Sequence, residues 1–231
     1  MERYIQKVYH NKLISRLFHT SVYCLQRELK SWYSVLDLGC GPDSPVQYCN
    51  ISYGVGVDAF RPYIKASKRG KIHAEHILSN ISSLNLRSGS FDAVVLIEVL
   101  EHLDKKDGEL LLQKMEAWGR EKIIISCPNG YLPQASMSQN PFQVHRSGWS
   151  VDEMKRRGYK AYGMSGLRSL RKENTSLKME DTKAIYSTIK FRPKIFWLII
   201  SELTQAIAYY FPELSFEVFY VKTKSSRKLK G

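Results

Sequence analysis

Val35-Leu36-Asp37-Leu38-Gly39-Cys40-Gly41 decides the fold. Its apolar run is broken by one acid and ends in two glycines one residue apart. The pattern predicts a buried parallel strand running into a tight loop, with Asp43-Ser44 or a neighbour opening a helix. Gly39 and Gly41 lack a Cβ, so the backbone can turn sharply and a ligand can lie directly against it. A helix N-terminus behind them adds free N–H groups and partial positive charge. A dinucleotide-binding loop would carry a third glycine at the position of Ser44. Further on, Gly54-Val55-Gly56-Val57-Asp58 predicts a second strand that ends in a carboxylate. A doubly wound sheet places Asp58 beside the glycine loop, where it can accept hydrogen bonds from two ribose hydroxyls.

Together these two segments resemble the cofactor site of class I S-adenosylmethionine-dependent methyltransferases. The acid at Asp37 and the missing third glycine fit that family better than nicotinamide enzymes. The resemblance covers roughly residues 33–165. It implies an α/β, Rossmann-like doubly wound fold: a mostly parallel seven-stranded sheet, helices on both faces and an antiparallel last strand. It implies S-adenosyl-L-methionine as cofactor, with Asp37, Gly39, Cys40, Gly41, Asp58 and Ala59 around it. Asn80 stands where the family usually has an acid that bonds the adenine amino group. Its amide oxygen can accept that bond without charge, and Ile81 can equally supply the contact through its backbone. Ser90 to Ile97 has the continuous, β-branched character of a central strand. Its exit, Glu98-Val99-Leu100-Glu101-His102-Leu103, resembles the family's fourth-strand exit, which implies that Glu98 faces the methionine part of the cofactor. His102 either lines the same cleft or holds backbone groups in the loop.

The flanks are read from pattern alone. Residues 1–33 are expected to form a helical extension over the cleft, with an amphipathic helix through Ile5, Val8, Tyr9, Leu13 and Leu17 and a second helix over Val22–Leu29. Residues 34–165 form the core. Helices are expected over Pro62–Arg69 and Lys105–Trp118, and further strands at Ile72–Leu78, Lys122–Ser126 and Lys160–Met164. Ser150 reads as the N-cap of a short helix, with Glu153 at the capping-box position. Residues 166–213 are a helical insertion: a basic part (Arg168, Arg171, Lys172, Lys178), then an apolar helix, Ile195–Phe211. That helix contains Glu202 and falls short of the ~20 residues a bilayer span requires. It reads as a buried helix, with a membrane-surface helix as the alternative. Residues 214–223 alternate as the final strand, and 224–231 form a basic tail.

Between strands five and six, Tyr131–Ser147 is long, polar and aromatic, at the edge where ligands of open α/β sheets bind. The run around Asn140-Pro141-Phe142-Gln143 also resembles segments of small bacterial and archaeal methyltransferases. His145 is the candidate general base, because imidazole titrates near neutrality. Asn129, Gln143, Arg146 and Trp149 are candidate acceptor-binding residues, suited to an anionic or glycan-like molecule.

The formal net charge is +13. The 34–150 segment is neutral, so the whole excess sits in the flanks and points to an anionic partner: a phosphorylated substrate, nucleic acid or a lipid surface. The expected acceptor is a small or lipid- or glycan-linked molecule, methylated at oxygen. RNA is the alternative, and a non-catalytic cofactor-binding scaffold a further one. Against nucleic acid, the fourth strand does not exit as the Asn/Asp-Pro-Pro-aromatic loop of base-amine methyltransferases. The four cysteines are scattered, which suggests neither zinc nor disulfides and favours a reduced, cytoplasmic setting. The N-terminus lacks the apolar run of a signal peptide. No carboxylates cluster at metal-ligand spacing, so no metal is expected.

Overall fold

Four of the five residues of β1 (Ser34–Leu38) are buried, and the rest of the sheet is placed around it. The computed structural model describes residue 16 and residues 19–133, 140–172 and 188–224. The expected first helix through Leu17, together with residues 134–139 of the Tyr131–Ser147 stretch, Lys178 and the end of the basic tail, lies outside the described residues.

β2 (Tyr53–Asp58) and β4 (Phe91–Ile97) flank β1, both parallel to it. β3 (Glu75–Leu78) extends the sheet beyond β2, and β5 (Gly119–Pro128) beyond β4. β7 (Ser215–Thr223) is antiparallel to both β5 and β6 (Lys160–Leu167). The order is β3-β2-β1-β4-β5-β7-β6. Strand order therefore reverses between β1 and β4, which opens a crevice at their carboxyl ends. This is the Rossmann-like, doubly wound architecture with an antiparallel last strand.

Because side chains alternate along a strand, β1 feeds two cores. Leu36 and Leu38 join Val94, Leu96, Ile123 and Ile125 under α3 (Lys105–Trp118), which contributes Leu111, Leu112, Met115 and Trp118. Val35 points the other way, with Ala93, Val95, Ile124 and Phe219, against Cys24 and Leu25 of α1 (Ser21–Glu28). Burial on both faces explains why these strands read as continuous apolar runs. α2 (Arg61–Gly70) crosses from β2 to β3, and α4 (Val151–Arg156) starts at Ser150, whose hydroxyl accepts the Glu153 N–H as expected. The Glu153 carboxylate turns instead to Lys105, at 2.7 Å, so the capping box is half made.

Two expectations are corrected. No α-helix follows the glycine loop: Pro45–Tyr48 make one 3-10 turn. Few residues separate that turn from β2, and Pro42 and Pro45 rigidify the loop before it and its first position. The dipole of a full helix is therefore not available to the loop.

The apolar insertion is two helices, α5 (Lys194–Leu203) and α6 (Gln205–Tyr210), and it is not buried as expected. Thr204 divides them: its Oγ1 donates to Ser201 O and accepts the Leu167 N–H. Gln205 bonds Gly166 N and Gly163 O of β6. The face laid on the sheet carries Ser201, Gln205 and Ala208, with Tyr209 stacked on Tyr162 of β6. Ile195, Phe196, Ile199, Leu203, Ile207 and Tyr210 are each more than half exposed. No helix among the described residues is long and apolar enough to cross a membrane.

α6 approaches β6 closely because Gly163 lacks a side chain: a Cβ there would sit 2.0 Å from Ala208 O. Gly163→Ala is therefore expected to lower stability by about 1–3 kcal/mol, read from the urea midpoint. An unchanged midpoint would show that this contact is loose.

Candidate functional site

A cavity of ≈ 480 Å³ opens at the carboxyl ends of β1, β2 and β4. Asp37, Gly39, Cys40, Gly41, Asp58, Ala59, Asn80, Ile81, Glu98 and His102 all line it. Every residue read from the sequence as a cofactor contact therefore reaches one space. Gln143 and Arg146 of the acceptor set line it too, together with Phe142 from the same loop.

The two glycines do different work. Both have positive φ, +66° at Gly39 and +59° at Gly41, where a side chain is strained. A Cβ on Gly39 would strike Val99 at 2.4 Å, so this glycine lets the loop pack on the β4 exit. A Cβ on Gly41 would meet nothing within 4 Å. Its backbone thus faces open space, the condition for a ligand to lie on it. Asp58 ties the loop to β2: Oδ2 accepts Gly41 N–H at 3.0 Å and Oδ1 accepts Phe60 N–H at 2.7 Å. Burial raises its pKa above the usual carboxylate range, against those hydrogen bonds.

Asp37 acts from behind the loop. It is buried, and its Oδ2 accepts Ser44 Oγ–H at 2.5 Å and lies 2.9 Å from His73 Nε2. Ser67 Oγ then links His73 Nδ1 to His76 Nε2. His73 fits because Gly56 has no Cβ, which would come within 2.7 Å of the ring. The apolar–acid–apolar pattern marked Asp37, but its partners Ser44 and His73 escaped the reading. Gly-x-Gly within a strand was the available signal, since interior strand glycines mark close approach.

Glu98 leaves β4 with φ +52°, a left-handed conformation costly for a residue with a side chain. Its Oε1 accepts from Ser126 Oγ at 2.6 Å. Burial, and then the Glu217 carboxylate, raise its pKa well above the usual range. Asn80 gives its amide oxygen to Ser82 N–H at 3.0 Å, as the cap of a short turn that begins at Ile81. His102 serves both roles foreseen for it: it lines the cavity, and Nδ1 bonds Val144 O at 3.2 Å. Burial first, and then neighbouring His145, lower its pKa to about 4. The ring is therefore neutral at pH 7.

Three expected acceptor-side residues are corrected. Asn129 is buried away from the cavity, its amide donating to Pro212, Glu213 and Ser215 carbonyls. It clamps the start of β7. Trp149 is fully buried against Gly108 of α3, whose missing Cβ makes room for the indole, and Lys105 Nζ lies 3.5 Å from the ring centroid. His145 does not line the cavity; it is buried behind His102, with ring centroids 4.9 Å apart, and Nδ1 is 2.6 Å from Leu132 O. Burial lowers its pKa. A general base must reach the proton it removes, and this one faces the wrong side of His102.

The 140–149 loop is nevertheless fixed to the β4 exit. Arg146 and Ser147 N–H groups both donate to Glu101 O. This brings Glu101, His102 and His145 together, with one ligand atom from each within 4.8 Å of the others. The linear spacing of 98–102 and 145 conceals that grouping. All four cysteines are free, and burial raises each thiol's pKa, so none is an activated nucleophile.

Comparison with known proteins agrees with this geometry. Residues 36–121 match the family model described as methyltransferase domain. That match runs from β1 into β5 and covers less than half of the chain. (S)-coclaurine N-methyltransferase of Thalictrum flavum subsp. glaucum is 29% identical over 106 residues, 42% of this chain and 28% of its own length. The matched region thus spans under a third of the curated relatives. A SAM-dependent methyltransferase from Archaeoglobus fulgidus has a TM-score of 0.53 at 18% identity, covering 92% of this chain and 98% of its own. Coclaurine N-methyltransferase, solved with N-methylheliamine and SAH, has a TM-score of 0.52 at 17% identity, covering 90% and 72%. These likenesses concern the fold.

Three substitutions test the site. His73→Ala leaves a buried carboxylate short of a partner and is expected to cost about 1.5–3 kcal/mol, measured by chemical denaturation. No loss would remove Asp37–His73 from the scaffold. Glu98→Gly is expected to be about 1 kcal/mol more stable than Glu98→Ala, because only glycine relieves the positive φ. Equal midpoints would mean the loop relaxes freely.

Proposed function

We propose that the chain is an S-adenosylmethionine-dependent methyltransferase acting on a small or lipid-linked acceptor. The observation that carries this reading is the convergence of the ten cofactor residues on one cavity at the switch point, with Gly41 open toward it. When bound, S-adenosylmethionine supplies a methyl group on a positively charged sulfonium, already a good leaving group. The residues present suit that ligand. Asp58 stands at the end of β2, where its carboxylate can accept ribose hydroxyls. Gly39–Gly41 offer bare backbone, Ile81 and its turn suit adenine, and Glu98 holds the methionine end. The protein's remaining tasks are alignment, exclusion of water and provision for a departing proton.

Acceptor entry is assigned to the wall made by Phe142, Gln143 and Arg146. Arg146 is half-exposed and only 3.5 Å from Asp104, a loose pair that leaves the guanidinium available to an anionic group. The acceptor atom is taken as a nucleophilic oxygen or nitrogen. The relatives named as N-methyltransferases favour nitrogen, whereas the sequence pattern favours oxygen. A lipid-linked acceptor draws support from α5 and α6, whose exposed apolar side chains lie beside exposed Lys190 and Arg192. Apolar faces flanked by cations suit an anionic membrane surface.

Incubation with methyl-labelled S-adenosylmethionine and host extract, followed by fractionation, tests the reading. Label is expected in the small-molecule or lipid fraction, with none from boiled protein. Label in RNA or DNA would replace this acceptor class with the nucleic-acid alternative. Lipid label should be accompanied by co-sedimentation with anionic vesicles that Ile199→Glu weakens; retention of binding would remove α5 from the account.

A further inference from the structure

Glu101, His102 and His145 form a group that the proposed transfer chemistry leaves unused. We infer that they bind a divalent transition cation at the wall of the cavity. One ligand atom from each lies within 4.8 Å of the others, close enough for small side-chain adjustments to bring all three onto one ion. Two histidines and a carboxylate suit zinc, manganese, cobalt or iron rather than magnesium or calcium, which prefer all-oxygen shells.

Three features beyond proximity point to a cation. Each imidazole is held by a backbone carbonyl at Nδ1, Val144 O for His102 and Leu132 O for His145. This is the outer contact that orients metal-binding histidines, and it leaves the Nε2 lone pair for the ion. Glu101 is 2% exposed, and its Oε2 has no hydrogen-bond partner, an expensive state for a buried carboxylate oxygen. Glu98 and Glu217 place two more carboxyl groups beside it, and none of the three has a Lys or Arg ion pair among the described residues. The site thus gathers oxygen and nitrogen acceptors with no cationic side chain to satisfy them.

The placement gives the ion a use. His102 lines the cavity while His145 is buried behind it, so three protein ligands close the inner side and an open position faces the cavity, as in catalytic rather than structural sites. An acceptor hydroxyl or amine entering past Gln143 and Arg146 could occupy that position. This role rests on the methyltransferase reading; metal binding itself does not.

Chelator-treated, full-length protein titrated with cobalt(II) tests the assignment. We expect one equivalent to bind with visible d–d absorption, displaced by zinc. Glu101→Gln, His145→Ala and the milder His145→Gln should each weaken binding at least about tenfold, with circular dichroism reporting the fold. No stoichiometric uptake by wild type, or uptake unchanged in folded variants, would overturn the site. S-adenosylhomocysteine binding, measured in parallel on wild type, separates the readings: retained binding without cobalt uptake removes only the metal.

Discussion

One carboxylate oxygen, Asp37 Oδ2, holds the glycine loop to the sheet. It sits inside β1, where an unpaired charge would cost several kcal/mol, and it meets both Ser44 of the loop and His73 from the approach to β3. Three successive segments are thereby joined at one point. Asp58 repeats the device from β2 by binding the Gly41 N–H. The loop is not held by a long helix behind it, since one 3-10 turn follows; it is held by two buried acids. Gly39 and Gly41 can then take left-handed conformations with the rest of the loop anchored.

The same economy governs the β4 exit. Glu98 turns the chain through a positive φ, and the turn that follows places Glu101 and His102 beneath the 140–149 loop. That loop is fixed by backbone bonds to Glu101 O and by Trp149 lodged in the space left by Gly108. Residues distant in sequence thereby become one wall, which carries Phe142, Gln143 and Arg146 toward the cavity.

What was legible in the sequence follows from this physics. Buried parallel strands leave continuous apolar runs, so β1, β2, β4 and β5 could be read directly, and Gly39, Gly41 and Asp58 fell in a spacing that fixes their placement. Asn129, Trp149 and His145 could not be placed that way. Their location depends on which glycine makes room and which carbonyl lies opposite, contacts that no local pattern encodes. Polarity misled at Asn129, whose amide serves three backbone carbonyls. Hydropathy misled at α5 and α6: their apolar residues imply burial, yet Gly163 and Gly166 let the face of Ser201, Gln205, Ala208 and Tyr209 dock, and most of the aliphatic residues stay exposed. Glu101 was visible in the motif, but its companionship with His145 is purely tertiary.

On this reading the cavity binds S-adenosylmethionine through Asp58 and the glycine loop. The most direct measurement is calorimetric titration with S-adenosylhomocysteine, the product that retains the adenosyl and amino-acid parts, on wild type and on Asp58→Asn. We predict one site per chain, with affinity reduced at least about tenfold in the variant while its circular dichroism is unchanged, as expected when a hydrogen bond to a charged group is weakened. Absence of binding to wild type, or equal affinity in the two proteins, would contradict it.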